Sequence, residues 1–134
     1  RPKAAVAARH LGVSASVLPG RLLSQTYRIG GAWTKWPITR QLCAQHEQLC
    51  NVTSRVAHIE YAVGAPYIID RRDVVSLMDR WVELTPVVHA AQPGLLADMY
   101  AWSMAAASLN MSHTRLDHFM VSNAQAAGEG WPWV

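Results

Sequence analysis

Apolar residues recur along this chain at two spacings, every second residue in some stretches and every third or fourth in others, and each spacing predicts an element. Lys3–Leu11 (KAAVAARHL) reads as a short helix closed by Gly12, and the stretch punctuated by Pro19-Gly20 and Gly30-Gly31 reads mostly as loop. Thr39 is placed to cap a helix over about Arg40–Cys50. In Val56–Ala62, the residues Val56, His58 and Glu60 alternate with Ala57, Ile59 and Tyr61, which predicts a half-buried strand. Gly64-Ala65-Pro66 breaks that alternation, and Tyr67-Ile68-Ile69 forms a short buried strand after it. Asp70 stops it and caps the next helix, with Asp73 three residues on in a capping-box-like position. Val74, Val75, Leu77, Met78, Trp81 and Val82 then recur at helical steps, so an amphipathic helix runs over about Arg71–Leu84 and Pro86 ends it. Pro93–Leu109 is helix-like and ends near Asn110, and a last strand over His118–Val121 leads into Gly128-Glu129-Gly130-Trp131-Pro132-Trp133. The order of strands and helices fits an α/β domain better than a helical bundle.

One residue stands against this pattern. Asp98 is the only acid in Pro93–Leu109, with Leu95, Leu96, Met99, Tyr100 and Trp102 around it. A carboxylate buried there needs a partner or a chemical use, because burial without one is costly. The simpler reading is a first-turn acid that complements the helix dipole.

Composition narrows the class. The 134 residues are 51% hydrophobic and 16% charged, which excludes a disordered tail and gives enough chain for one core. The net charge of +3 and the pI of about 9.2 come from scattered Lys and Arg, with only Arg71-Arg72 adjacent, so the basic stripe of a nucleic-acid binder is missing. No apolar run is long enough to span a bilayer. The chain opens at Arg1-Pro2 without a start Met and stops at Val134, and both ends read as cuts in a longer protein. Cys43 and Cys50 can bridge if the segment between them turns, but not along a regular helix, where their Cα atoms would lie about 10 Å apart. Two N-glycosylation sequons, Asn51-Val52-Thr53 and Asn110-Met111-Ser112, tilt in the same direction as the cysteines, toward the secretory lumen.

Chemistry is sparse. His113, Asp117 and His118 are close in sequence, but their spacing is generic for a metal site, and a triad of Ser103, His113 and Asp117 exists only on paper. His46 and His58 read as ordinary polar or half-buried residues. The nucleophile elbow, the phosphate loop and the dinucleotide fingerprint are all absent. Of the six Trp, Trp33, Trp36, Trp131 and Trp133 fall in expected loops beside Gly or Pro, and Trp81 and Trp102 in helical patterns; the simpler reading for all of them is packing in the core or under a lid, and the loop set can also stack on a sugar.

Taken together, Gly64-Ala65-Pro66-Tyr67-Ile68-Ile69, Trp81, Asp98-Met99-Tyr100-Ala101-Trp102-Ser103, His113 and Phe119-Met120 resemble, in order and spacing, the plant and algal peptidyl O-glycosyltransferases. These are the hydroxyproline O-arabinosyltransferases and the peptidyl-serine α-galactosyltransferases, and the likeness covers about residues 50–133. It implies an α/β fold of the GT-A, Rossmann-like nucleotide-sugar type, of which residues 1–134 form the C-terminal, acceptor-side part. The implied reaction moves arabinose or galactose from a UDP-sugar to a Ser or hydroxyproline hydroxyl of a protein acceptor, with retention of configuration.

On the same likeness, Gly64, Ala65 and Pro66 match the glycine turn near the donor sugar. Asp98 matches the helix-start acid, where the family usually has Glu. Tyr100, Trp102, His113, Trp131 and Trp133 would flank sugar or acceptor peptide. The family's Asp-x-Asp is missing, since Asp70 and Asp73 are three apart, and no His follows Trp133. The ligands of the divalent ion, expected to be Mn²⁺, therefore fall outside this chain, which is expected to be inactive alone. A Golgi or ER lumen location, through a membrane anchor outside this chain, is also implied. One competing reading is a non-catalytic carbohydrate- or peptide-binding module that uses the Trp residues without metal or nucleotide; another is a structural piece of a degenerate homologue that has lost the metal site.

Overall fold

The computed structural model describes residues 16–117, 119 and 120. The helix expected over Lys3–Leu11 and the Trp131-Pro132-Trp133 turn lie outside the described residues, as do His118 and Val121 of the expected last strand. In chain order the elements are β1 (Arg21–Thr26), a 3-10 turn (Ala32–Lys35), α1 (Pro37–Cys43), a second 3-10 turn (Glu47–Asn51), α2 (Ser54–Glu60), β2 (Val63–Ile68), α3 (Val74–Ala91), α4 (Ala97–Ser108) and β3 (Ser112–Leu116). The described residues thus form a small mixed α/β domain whose three strands lie in the order β2-β1-β3.

The centre of the sheet falls where the sequence predicts a loop. In β1, Leu22, Leu23, Ser24 and Gln25 are all buried, so both faces of the strand are covered and no alternation marks it. It runs parallel to β3, pairing Arg21 with Ser112 through Gln25 with Leu116, and antiparallel to β2. On β2 the register jumps from Tyr67 to Gly64, which leaves Ala65 and Pro66 unpaired and exposed in a bulge. Proline has no N–H to give a ladder, and a bulge is where a strand can hold one. Gly64-Ala65-Pro66 therefore sits within β2 and does not break it, with the Ala65–Pro66 peptide cis.

The buried amide of Gln25 fixes the chain just beyond β3. Its Nε2 donates to the carbonyls of Thr26 (3.2 Å) and Asp117 (3.1 Å), and its Oε1 accepts from the amides of Phe119 (2.8 Å) and Met120 (3.1 Å). Both donors and both lone-pair directions are used, so the side chain can be buried at little cost. Phe119 and Met120 form a bend here, and the last strand is Ser112–Leu116 instead.

Several helices also differ from expectation. Residues 56–60 are helical, because Thr53 caps α2 by accepting from the Val56 amide at 3.2 Å; only Ala57 is buried, and Val56 and Ile59 stay in solvent. A Cβ on Gly31 would strike the Ser54 carbonyl, so a glycine there admits the start of α2. Helix α1 starts at Pro37, so Thr39 lies inside it and donates to the Trp33 carbonyl instead of capping. Pro86 lies inside α3, which runs 18 residues. Burial of Leu84 and Val88 on either side of the proline carries the helix through, and Thr85 Oγ1 donates to the Trp81 carbonyl at 2.6 Å. Of the apolar positions that predict α3, Leu77 is buried, Met78 and Trp81 are half-buried, and Val74, Val75 and Val82 are exposed. Asp73 precedes α3 but commits its carboxylate to the Gly20 amide (2.7 Å), while Asp70 is paired with Arg72.

Helix α4 is the centre of the core. Nine of its 12 residues are buried, and its run of alanines lets α3 approach closely. It ends in a Schellman arrangement: Met111 N donates to Ala106 O, Asn110 N to Ala107 O, and Asn110 takes φ 55°. Cys43 and Cys50 are bridged, with Cα atoms 5.3 Å apart, because α1 stops and the chain turns between them. That loop is tied to the helices by His46, whose Nδ1 accepts from Arg80 (2.8 Å) and whose Nε2 meets Glu83 (3.1 Å); Arg80 also donates to Ser108 Oγ (2.8 Å).

Gln25→Leu keeps the bulk of the side chain and removes every one of the Gln25 side-chain bonds. Its unfolding free energy in urea should fall by about 3 kcal/mol, the cost of leaving several buried backbone groups unpaired. Unchanged stability would mean that the clamp holds nothing.

Candidate functional site

The first turn of α4 meets α3 through Trp81 and comes close to β2 at Gly64 and Tyr67, and Asp98 stands in that turn. It lies in the first turn of α4 and is exposed, as the simpler reading of a first-turn acid has it, and is not buried among its apolar neighbours. The cause is local: Leu95 and Leu96, which make the surroundings look apolar in sequence, are themselves exposed, Leu95 at 93%. The carboxylate Oδ1 accepts from the Met99 amide at 2.9 Å, which satisfies one of the free amides of the helix start.

The surroundings of Asp98 are aromatic. The Trp81 indole N–H donates to the Asp98 backbone carbonyl at 2.9 Å, pinning the first turn of α4 to α3. Tyr67 of β2 stacks on Trp102 at 3.8 Å and 19°, and Trp81 meets the same indole edge-on at 5.0 Å. Tyr100 packs on Trp36 at 4.7 Å. The Tyr67 phenol is held well above the ordinary tyrosine range, first by burial and then by the charges of Asp98 and Tyr27, so it stays protonated. Gly64 closes the group from below: a Cβ there would strike the Tyr27 ring and the Met99 methyl, so the bare backbone lets α4 and β2 come together. Trp81 also lines a shallow apolar depression of about 370 Å³ with Val82, Thr85 and Pro86.

The residues expected at the site divide accordingly. Asp98, Ala65 and Pro66 are exposed, Gly64 is buried against Met99, the neighbour of Asp98, and Tyr100 is half-buried. Trp102 and His113 are buried, at 1% and 2% exposure, and are correspondingly removed from direct contact with a ligand at the surface. The Trp102 N–H donates to His113 Nε2 at 3.1 Å, and His113 Nδ1–H donates to the Glu60 carbonyl at 2.9 Å, which fixes the ring as one neutral tautomer. These two side chains support the aromatic wall from behind. Trp131 and Trp133 lie outside the described residues. Trp33 is fully buried against Tyr61, the packing role that is the simpler reading of a tryptophan, and does not face a ligand. Tyr67 joins the wall most directly, yet in sequence it is only one member of an apolar run; its spacing to Gly64 is the one available signal.

No three of His, Cys, Asp and Glu among the described residues come together as a cage for a metal ion. His113 is already committed on both nitrogens, and His118 lies outside the described residues. The described residues do not fit the divalent ion that the family resemblance brings with it. No helix among them is long and apolar enough to cross a membrane. No family model matches the chain, and no curated protein or solved structure matches it either.

Burial pushes the His113 imidazole down to about 4, against 6.5 when unfolded. The unfolded chain then binds a proton that the folded one refuses. The contribution of His113 is therefore complete above pH 6.5, is lost as the pH falls toward 4, and changes no further below that. About 3 kcal/mol of stability should disappear across this window, read as a pH series of urea midpoints. His113→Gln should be less stable at pH 7 but lack this part of the slope; an identical slope would assign it to other groups.

Proposed function

We propose that this chain is the acceptor-side part of a GT-A type glycosyltransferase catalytic domain that acts on proteins in the Golgi or ER lumen. The sugar, arabinose or galactose, would pass from a UDP-sugar to a Ser or hydroxyproline hydroxyl with retention. One observation carries the reading: the exposed Asp98 carboxylate stands at the head of a buried helix, beside Tyr67 and the Gly64 bulge, which are some thirty residues away in the chain. An acid that needs neither burial nor a salt bridge to be held in place is available to a ligand. The apolar depression beside Trp81 offers a surface on which the carbon face of a pyranose or an extended peptide can lie.

In that reaction the acceptor hydroxyl oxygen bonds to the anomeric carbon, the bond from that carbon to the donor diphosphate breaks, and the hydroxyl proton leaves. Asp98 would hold sugar hydroxyls, stabilise positive charge at the anomeric centre, or act as the nucleophile of a two-step retention. Trp81 would keep the carboxylate in register by its bond to the Asp98 carbonyl. Diphosphate and metal binding would belong to chain outside these residues.

The test is transfer from a UDP-sugar to Ser- and hydroxyproline-containing peptides by the full-length gene product. Asp98→Asn should lower turnover at least about a hundredfold, as loss of a charged group at a reacting centre does. Wild-type turnover in that variant would end the assignment of Asp98. Calorimetry on this chain separates the binding-module reading, which requires glycan or peptide binding without UDP and Mn²⁺.

A further inference from the structure

We infer that Asn51 and Asn110 carry N-linked oligosaccharides, which makes the end of the domain opposite Asp98 a glycosylated face. Both asparagines head a sequon, Asn51-Val52-Thr53 and Asn110-Met111-Ser112, and both are exposed. Asn51 closes the 3-10 turn Glu47–Asn51, one residue beyond the bridged Cys50. Asn110 occupies the left-handed position (φ 55°) of the turn between α4 and β3, at the C-terminal end of the helix. The disulfide is the independent observation, because such a bond persists in the compartment where sequons are modified.

Placement makes the two sites one feature. Asn110 lies about 18 Å from Asp98 along the axis of α4, at 1.5 Å per residue. The loop that ends at Asn51 is fastened near that same end by the His46–Arg80–Ser108 bonds. Glycans at both positions would therefore crowd the C-terminal end of α4 and leave the Asp98 edge open. In the transfer the Asn carboxamide nitrogen bonds to the anomeric carbon of a lipid-diphosphate-linked oligosaccharide. The bond from that carbon to the phosphate oxygen breaks, and the amide proton leaves with the lipid diphosphate.

This inference rests on the luminal compartment of the proposed function, not on its chemistry. The experiment directs the full chain into the ER of a cultured cell and follows its mobility before and after peptide N-glycosidase. Two glycan steps are expected, with one lost in Asn51→Gln and one in Asn110→Asp, since Asp also tolerates the left-handed backbone. The hydroxyl residues are left intact, because Thr53 caps α2 and Ser112 Oγ accepts from Arg21 at 3.0 Å. Peptide mapping of the Cys43–Cys50 bond in the same sample shows that the chain reached the lumen. A mapped disulfide with no glycan step overturns the inference and leaves the transferase reading standing. Glycan steps on a full-length protein whose Asp98→Asn variant turns over normally would uphold the inference and end the other.

Discussion

The indole of Trp102 is the point on which the candidate edge depends. One face carries Tyr67, one edge carries Trp81, and its N–H is committed to a histidine that is itself anchored to the Glu60 carbonyl. Through these contacts α4, α3, β2, β3 and the end of α2 are held around a single side chain. Each contact is worth on the order of 1 kcal/mol, but they share one rigid ring, so none can shift without disturbing the rest. The first turn of α4 inherits that rigidity. Asp98 is exposed, yet its backbone is fixed by Trp81, and its neighbour Met99 is fixed against Gly64.

Three buried polar side chains act in the same way. Gln25 has four bonds, Ser103 Oγ donates to the Tyr61 carbonyl at 2.7 Å, and His113 is committed at both nitrogens. Each ties a backbone segment that belongs to no shared ladder. They join the sheet to the helices where apolar packing alone would leave the register free.

Sequence makes the helices legible and most of the sheet illegible, for a physical reason. The run from Ala97 to Ser108 is recognisable because a helix buried nearly all round is apolar nearly all round, and Asn110 marks its end. Strand β1 is hidden because a strand covered on both faces shows no period of two, and Ser24 and Gln25 make its sequence look like loop. Val56–Glu60 shows the opposite error: a helix short enough to bury only Ala57 leaves an alternation that mimics a strand. Pro86 has the look of a stop, although a helix anchored on both sides by Leu84 and Val88 tolerates the lost bond. At the site, Asp98 is marked by its oddness in an apolar run, and a bridge between Cys43 and Cys50 needs only the turn that the structure supplies. The partners that bury Trp33 and Trp102, Tyr61 for the one and Tyr67 for the other, are distant in the chain, and no local pattern records them.

Exposure changes the significance of Asp98. A buried carboxylate would have argued for function through its cost, since the fold would have to sustain an unfavourable group. An exposed one at a helix start has almost no cost and a small benefit from the dipole, so energetics alone do not separate a capping acid from a ligand-binding one. The proposed role therefore rests on position: Met99, next to the acid, packs on Gly64, a phenol kept protonated feels its charge, and the indole bonded to its backbone lines an open apolar depression. The same exposure makes Asp98 a clean probe. Trp102 or His113 can be altered only by loosening the core, so any loss of function there is confounded with loss of fold. Replacing the Asp98 carboxylate by an amide leaves the Trp81 bond to its backbone in place, so a change in transfer would report on the carboxylate itself.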